Sequence, residues 1–73
     1  MDRVPDQSFE LVLNGRKVVS VAGTVAALLA EQGYGGPKVA TAVNGGFVPE
    51  RVRGETRISA GDSVEVVSAR QGG

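Results

Sequence analysis

Two runs of strand-forming residues lie on either side of an Asn-Gly pair near the start of the chain. Phe9–Leu13 is apolar at alternate positions, and residues 16–21 are rich in β-branched side chains. Asn14 and Gly15 tolerate the positive φ angles of a type I′ turn, and this pattern is the strongest short-range signal for a hairpin. The fold must therefore accommodate an antiparallel hairpin at its start.

One helix is predicted after the hairpin. Thr24 suits the N-cap position, because its hydroxyl can accept a hydrogen bond from a backbone N–H that has no partner inside the helix. Val25, Leu28 and Leu29 follow with helical spacing and form an apolar stripe. We interpret the glycine-rich residues 33–36 as the helix C-cap and a loop, since a phosphate-binding glycine motif opens a helix instead of following one.

Further strands are predicted in the second half of the chain. Val39–Val43 is rich in β-branched residues, and a turn over residues 44–46 separates it from a brief extended piece at residues 47–48. A short strand is expected within residues 56–59, after an irregular polar segment. Ser63–Ser68 is a strong final strand, in which Val64 and Val66 share one face and Glu65 and Val67 share the other.

These elements predict one α+β domain. A mixed sheet of four to five strands with one main helix packed across it, and with the first and last strands parallel at its centre, is the ubiquitin-like β-grasp. We assign residues 1–8 to a flexible lead-in, residues 9–68 to the domain and residues 69–73 to a flexible tail. The predicted core consists of Leu11, Leu13, Val18, Val25, Leu28, Leu29, Val43, Val64 and Val66.

The composition limits the chemistry available to the chain. It has no Cys and no His, so it lacks a thiolate, an imidazole, a disulfide and the usual zinc ligands. Lys+Arg and Asp+Glu are balanced at 8 each, whereas proteins that bind nucleic acid usually carry a basic excess. The apolar runs are too short to cross a bilayer. We expect a cytoplasmic protein that is not an enzyme and binds no metal, nucleic acid or membrane.

The last residues are the candidate reactive site. Gly72 and Gly73 end the short tail that follows the final predicted strand, and Gly73 carries the terminal carboxylate. A carboxylate becomes an acyl donor once ATP has adenylated it, and residues without side chains can thread into a narrow active site. We therefore predict covalent activation at Gly73, with Gly72 and Gln71 threading into the active sites of partner enzymes.

A docking face is predicted on the side of the sheet that the helix leaves open. Glu65 and Val67 point away from the predicted core on the strand that leads into the tail, and Ala42 is expected near them. Small apolar positions on an exposed sheet face suit a transient interface with a partner.

The sequence from Phe9 to Gly73 resembles the ThiS family of sulfur carriers. The resemblance rests on five features, which are the hairpin at Asn14-Gly15, the helix pattern TVxxLL from Thr24, the AVNxxxVP pattern from Ala42, the GDxVEVV pattern from Gly61 and the terminal Gly72-Gly73. The Val-Pro pair and the Glu-Val-Val run favour ThiS over the related MoaD subunit of molybdopterin synthase.

The resemblance implies a mechanism carried out by partner enzymes. A ThiF-like adenylating enzyme, using ATP and magnesium, would activate Gly73. A cysteine desulfurase or another persulfide relay would then supply sulfur, and the resulting thiocarboxylate would serve ThiG, the thiazole synthase. The chain itself would bind no cofactor. Two alternatives remain open, which are a carrier for molybdopterin or cysteine synthesis and a ubiquitin-like modifier joined through Gly73 to an amine.

Overall fold

The computed structural model of the chain describes residues 8–34 and 39–68. One sheet of five strands, in the order β2-β1-β5-β3-β4, packs against one α-helix. The elements are β1 (Phe9–Leu13), β2 (Arg16–Ser20), α1 (Val25–Glu31), β3 (Val39–Val43), β4 (Gly46–Val48) and β5 (Ser63–Ser68). This architecture confirms the predicted α+β fold of the β-grasp type. The predicted tail, and the predicted lead-in apart from Ser8, lie outside the described residues.

Both hairpins turn on Asn-Gly pairs. Asn14 and Gly15 have φ angles of 52° and 84°, and Asn44 and Gly45 have φ angles of 50° and 87°. All four residues therefore occupy the left-handed region that type I′ turns require and that Asn and Gly tolerate. The second turn is one residue shorter than predicted, because Gly46 already belongs to β4.

The centre of the sheet is the parallel pairing of the first and last strands. Val12 lies opposite Ser63 and Leu13 opposite Val64, so only the start of β5 is paired with β1. On its other side, β5 pairs antiparallel with β3 from Val64 to Ser68. The start of β5 is also held by Asn44, whose Oδ1 accepts from the Ser63 amide at 3.0 Å and whose Nδ2 donates to Asp62 at 3.1 Å.

The helix begins where predicted. Thr24 is the N-cap, and its hydroxyl accepts a hydrogen bond from the Ala27 amide at 3.2 Å. The two preceding amides of the first turn are also hydrogen-bonded. The Val25 amide donates to the Thr56 carbonyl at 3.0 Å, and the Ala26 amide donates to the Arg53 carbonyl at 3.1 Å. The backbone N–H groups of the first turn of a helix have no acceptors within the helix. Here the loop after β4 supplies acceptors for two of them.

This role of the loop explains why the strand predicted within residues 56–59 is wrong. Arg57 forms only an isolated bridge with Thr24, and the Ile58 amide donates to the Gly23 carbonyl at 3.1 Å. The segment is thus fixed by the entrance to the helix and not by a neighbouring strand. The preceding segment, predicted to be irregular, contains a short 3₁₀ helix at Glu50–Val52.

The core lies between α1 and one face of the sheet. Leu28, Val25 and Val64 are fully buried, and each large apolar side chain that leaves water contributes about 1.5–3 kcal/mol. The prediction is correct for most positions, but Val18 and Val43 are only partly buried. Among the apolar residues that the structure describes, three are buried but were not predicted, and these are Ala22, Val48 and Ile58.

A polar contact joins the end of β2 to the end of α1. The buried Ser20 hydroxyl donates to the Glu31 carboxylate at 2.6 Å and accepts from the Ala22 amide at 2.9 Å. The other oxygen of Glu31 accepts from the Val21 amide at 3.1 Å. The hydrogen bond from Ser20 holds the pKa of Glu31 below its usual value of 4.5, with smaller contributions from Val21 and Gln32, while desolvation opposes the shift.

The lowered pKa of Glu31 predicts a pH-dependent contribution to stability. A carboxylate whose pKa is lower in the folded state stabilises the fold above its unfolded pKa and loses that effect as the pH falls through the folded value. Glu31→Gln should therefore lower the free energy of unfolding near neutral pH. The gap to wild type should narrow as the pH falls below 4.5. Urea denaturation across this pH range measures the gap.

The exposed Glu55 offers a control for the loss of a negative charge in general. Glu55→Gln should not reproduce the pattern, because, in the part of the chain that the structure describes, the Glu55 carboxylate does not accept the pair of hydrogen bonds that the Glu31 carboxylate accepts. A stability gap for Glu31→Gln that stays constant from neutral to acidic pH would contradict the role given to the carboxylate.

Candidate functional site

The structure describes the base of the predicted site and not its reactive end. Gly73, Gly72 and Gln71, which were predicted to be activated and to thread into partner enzymes, lie outside the described residues. The described part ends at Ser68, the last residue of β5. The geometry that bears on function is therefore the support of β5 near Ser68 and the open face of the sheet beside it.

On one side, the end of β5 is supported by β3. Ser68 lies opposite Val39, and Val67 opposite Ala40. The start of β3 is in turn held by Arg53, which donates through Nη2 to the Val39 carbonyl at 2.6 Å. The last residues of β5 are thus tied through one strand to the loop that caps the helix.

Arg53 also fixes the interior of β3. Its Nε donates at 3.2 Å to the hydroxyl of Thr41, and that hydroxyl donates to the Val48 carbonyl at 2.8 Å. Thr41 is buried, so these bonds satisfy a polar group that would otherwise be costly to bury. Sequence reasoning missed this role, since a single Arg in a polar loop carries no local signal of its partners.

On the other side of β5, a side chain replaces a strand. The backbone pairing with β1 ends near Val64, whose carbonyl accepts from the Asn14 amide at 2.9 Å. Beyond it, the Asn14 side chain forms two bonds with Val66, accepting from its amide at 2.8 Å and donating to its carbonyl at 3.1 Å. The side-chain amide of Asn14 therefore meets both backbone polar groups of Val66.

The structure brings the predicted docking residues together on the open face. Ala42 lies opposite Glu65 on neighbouring strands, and Ala40 lies opposite Val67. Glu65 and Val67 are exposed, while Val64 and Val66, which alternate with them along β5, are buried. Ala42 is only half-buried. The expected placement of the three residues is thus correct, and their role in docking stays a prediction.

Phe47 extends this face and was not predicted to belong to it. It lies opposite Ala42 on β4, so Phe47, Ala42 and Glu65 form one row across three strands. Its side chain is 70% exposed, which is unusual for a large aromatic residue, and Val67 is 58% exposed. The alternation with the buried Val48 was the signal that could have revealed it. We call Ala40, Ala42, Phe47, Glu65 and Val67 the open-face patch.

The described residues offer little for chemistry of their own. Within 8–34 and 39–68, no group of three or more acidic residues is placed to hold a metal ion. Over the same residues, no helix has the length and apolar character needed to span a membrane. What the described geometry does provide is an apolar patch with one carboxylate, next to β5, which is supported by β3 as far as Ser68 and by Asn14 as far as Val66.

Comparison with known proteins gives the family. The ThiS family model matches residues 3–73. Among solved structures, the chain is similar to the thiamine biosynthesis protein ThiS from Geobacter metallireducens, with 26% identity and a TM-score of 0.74 over 89% of this chain and 100% of that one. No curated protein matches significantly in sequence. Because the family model spans both the sheet and the terminal glycines, this chain belongs to the ThiS family.

Proposed function

We propose that this chain is a sulfur carrier for thiamine biosynthesis and that it carries the sulfur as a thiocarboxylate on Gly73. The observation that carries the proposal is the ThiS family match, which extends to Gly73 itself. The similarity to a solved thiamine biosynthesis protein supports the same pathway. The supported end of β5 is what a carrier needs, because it gives the tail a defined starting point.

The proposed chemistry proceeds in two stages at one carbon atom. An oxygen of the Gly73 carboxylate attacks the α-phosphorus of ATP, pyrophosphate leaves, and an acyl adenylate forms. The terminal sulfur of a cysteine persulfide then attacks the acyl carbon and expels AMP. A further thiol then attacks the cysteine sulfur of the resulting acyl disulfide and forms a new disulfide with it. The old S–S bond breaks, and the thiocarboxylate is released.

Partner enzymes supply the catalysis in this scheme. The chain has no Cys and no His. It therefore lacks the cysteine sulfur that the scheme uses, and it lacks an imidazole that could act as a general base near neutral pH. We propose a ThiF-like enzyme, with ATP and magnesium, for the activation, and a cysteine desulfurase or persulfide relay for the sulfur. The thiazole synthase ThiG would receive it, all within the cytoplasm.

The open-face patch is the proposed docking surface for these enzymes. Its residues are small or apolar apart from Glu65, and Phe47 and Val67 expose most of their side chains to solvent. Exposed aromatic and aliphatic side chains with a single charge suit an interface that must form and separate repeatedly. The patch includes Val67, one residue before the end of β5, so docking there would bring the tail close to the partner's active site.

Deleting Gly73 should abolish activation without unfolding the domain. The deletion shortens the reach of the tail by up to about 3.6 Å, and a misplacement of about 1 Å can reduce a rate roughly a hundredfold. ATP–pyrophosphate exchange with a ThiF-type enzyme should fall at least that far, while circular dichroism stays unchanged. Adding one residue after Gly73 should be as damaging, because the reactive carbon would then lie in a peptide bond.

Deletion of Asp2 is the matched control, since it also shortens the chain by one residue but at the opposite terminus. It should leave the exchange rate unchanged. Normal formation of thiocarboxylate on the chain that lacks Gly73 would refute the specific role proposed for Gly73, because the carboxylate of Gly72 would then serve equally well.

Val67→Asp should weaken docking and leave the fold intact. The valine is 58% exposed, so an aspartate is accommodated, but a second carboxylate near Glu65 would be desolvated and repelled in an apolar interface. We expect the KM for the carrier in adenylation to rise about tenfold. Val19→Asp is the control, because Val19 is also an exposed strand valine, at 66%, but lies on β2 outside the patch. A KM for Val67→Asp equal to that of the wild-type chain would exclude this surface.

A further inference from the structure

We propose that Asn14 is a positioning residue that fixes the end of β5 and thereby aims the C-terminal tail for activation. The proposal rests on the proposed function, because it concerns how the Gly73 carboxylate reaches the adenylating site. It is carried by the two hydrogen bonds between the Asn14 side chain and the backbone of Val66, 52 residues away in the sequence.

These two bonds extend the hydrogen-bond ladder between β1 and β5 beyond the point where the backbone pairing ends. The Val12 amide donates to the Asp62 carbonyl at 2.9 Å, and the Asn14 amide donates to the Val64 carbonyl at 2.9 Å. Continued in the same parallel pattern, the next rung would pair the Val66 amide with the Asn14 backbone carbonyl, and the Val66 carbonyl with the amide of the second residue after Asn14. The chain instead turns away at Gly15 into β2, and the Asn14 side chain supplies both groups.

An asparagine suits both tasks at this position. Its φ angle of 52° lies in the left-handed region, which Asn tolerates better than most residues with a side chain. Its amide carries one acceptor and one donor group, in the same arrangement as a peptide unit. A glycine would satisfy the turn but would leave Val66 without the side-chain bonds.

Support at Val66 matters because the reactive group lies far beyond it. Gly73 is the fifth residue after Ser68, and five extended residues span up to about 18 Å. The end of β5 sets the point from which these residues must reach the adenylating site, so a shift of that end shifts the starting point of the tail. Since a misplacement of about 1 Å can reduce a rate roughly a hundredfold, the direction of β5 should affect turnover more than docking.

The chain contains its own matched control for this proposal. Asn44 also precedes a glycine, has a φ angle of 50°, and forms two side-chain bonds at the other end of β5, with Ser63 and Asp62. Asn14→Gly and Asn44→Gly thus keep the glycine-compatible turns and each remove two side-chain bonds. They differ in which end of β5 loses support, so general destabilisation should affect both variants alike.

The experiment measures adenylation kinetics of the full chain with a ThiF-type enzyme and ATP, together with amide hydrogen exchange of the free chain. Asn14→Gly should lower kcat about tenfold and leave the KM for the carrier within about twofold, because the open-face patch is intact. Asn44→Gly should leave both constants close to wild type. Exchange should accelerate at the Val66 amide in the first variant and at the Ser63 amide in the second.

Three results would overturn the proposal. Equal kcat values for the two variants would show that Asn14 serves only the turn and the stability of the sheet. Unchanged exchange at Val66 in Asn14→Gly would show that the side-chain bonds do not hold the strand. A wild-type chain that is not adenylated would refute the proposed function, and with it any role of Asn14 in activation, whereas the first two results leave the carrier function in place.

Discussion

The structure depends on the central position of β5. This strand pairs with β1 on one side and with β3 on the other, and its buried valines contribute to the core beneath the helix. The parallel pairing with β1 joins the two ends of the described chain, and the pairing with β3 joins β5 to the second hairpin. Because β5 is also the strand that leads into residues 69–73, the interactions that stabilise the fold also determine where the tail begins.

The same division of faces separates stability from recognition. Val64 and Val66 are buried against the helix side, while Glu65 and Val67 are exposed on the open side. Alternate residues of one strand therefore belong to the core and to the proposed docking surface. This arrangement suits a domain of 73 residues, in which few strands are available for either purpose.

Local patterns in the sequence predicted most of the architecture. The Asn-Gly pairs identified both turns because few residues adopt positive φ, and the stripe of Val25, Leu28 and Leu29 identified the helix and its buried face. Alternation along Ser63–Ser68 correctly assigned the two faces of β5. These features are local, so they can be recognised without knowledge of what the rest of the chain contacts.

The errors and omissions arise from contacts between distant residues. Residues 56–59 were predicted to form a strand, but their backbone forms hydrogen bonds with the residues at the start of the helix. The bond from Ser20 to Glu31 and the bonds from Asn14 to Val66 join residues that no sequence pattern relates. Phe47 could have been placed on the open face once Val48 was assigned to the core, but that assignment required the pairing of β4 with β3.

The central claim is that the Gly73 carboxylate becomes a thiocarboxylate, and intact-mass spectrometry tests it most directly. The full chain would be incubated with a ThiF-type enzyme, ATP, magnesium and a cysteine persulfide donor, with a parallel sample that lacks ATP. The account predicts that only the complete mixture raises the mass by the difference between one sulfur and one oxygen, and that fragmentation places the change on Gly73. An unchanged mass, or a covalent link from Gly73 to an amine, would contradict it.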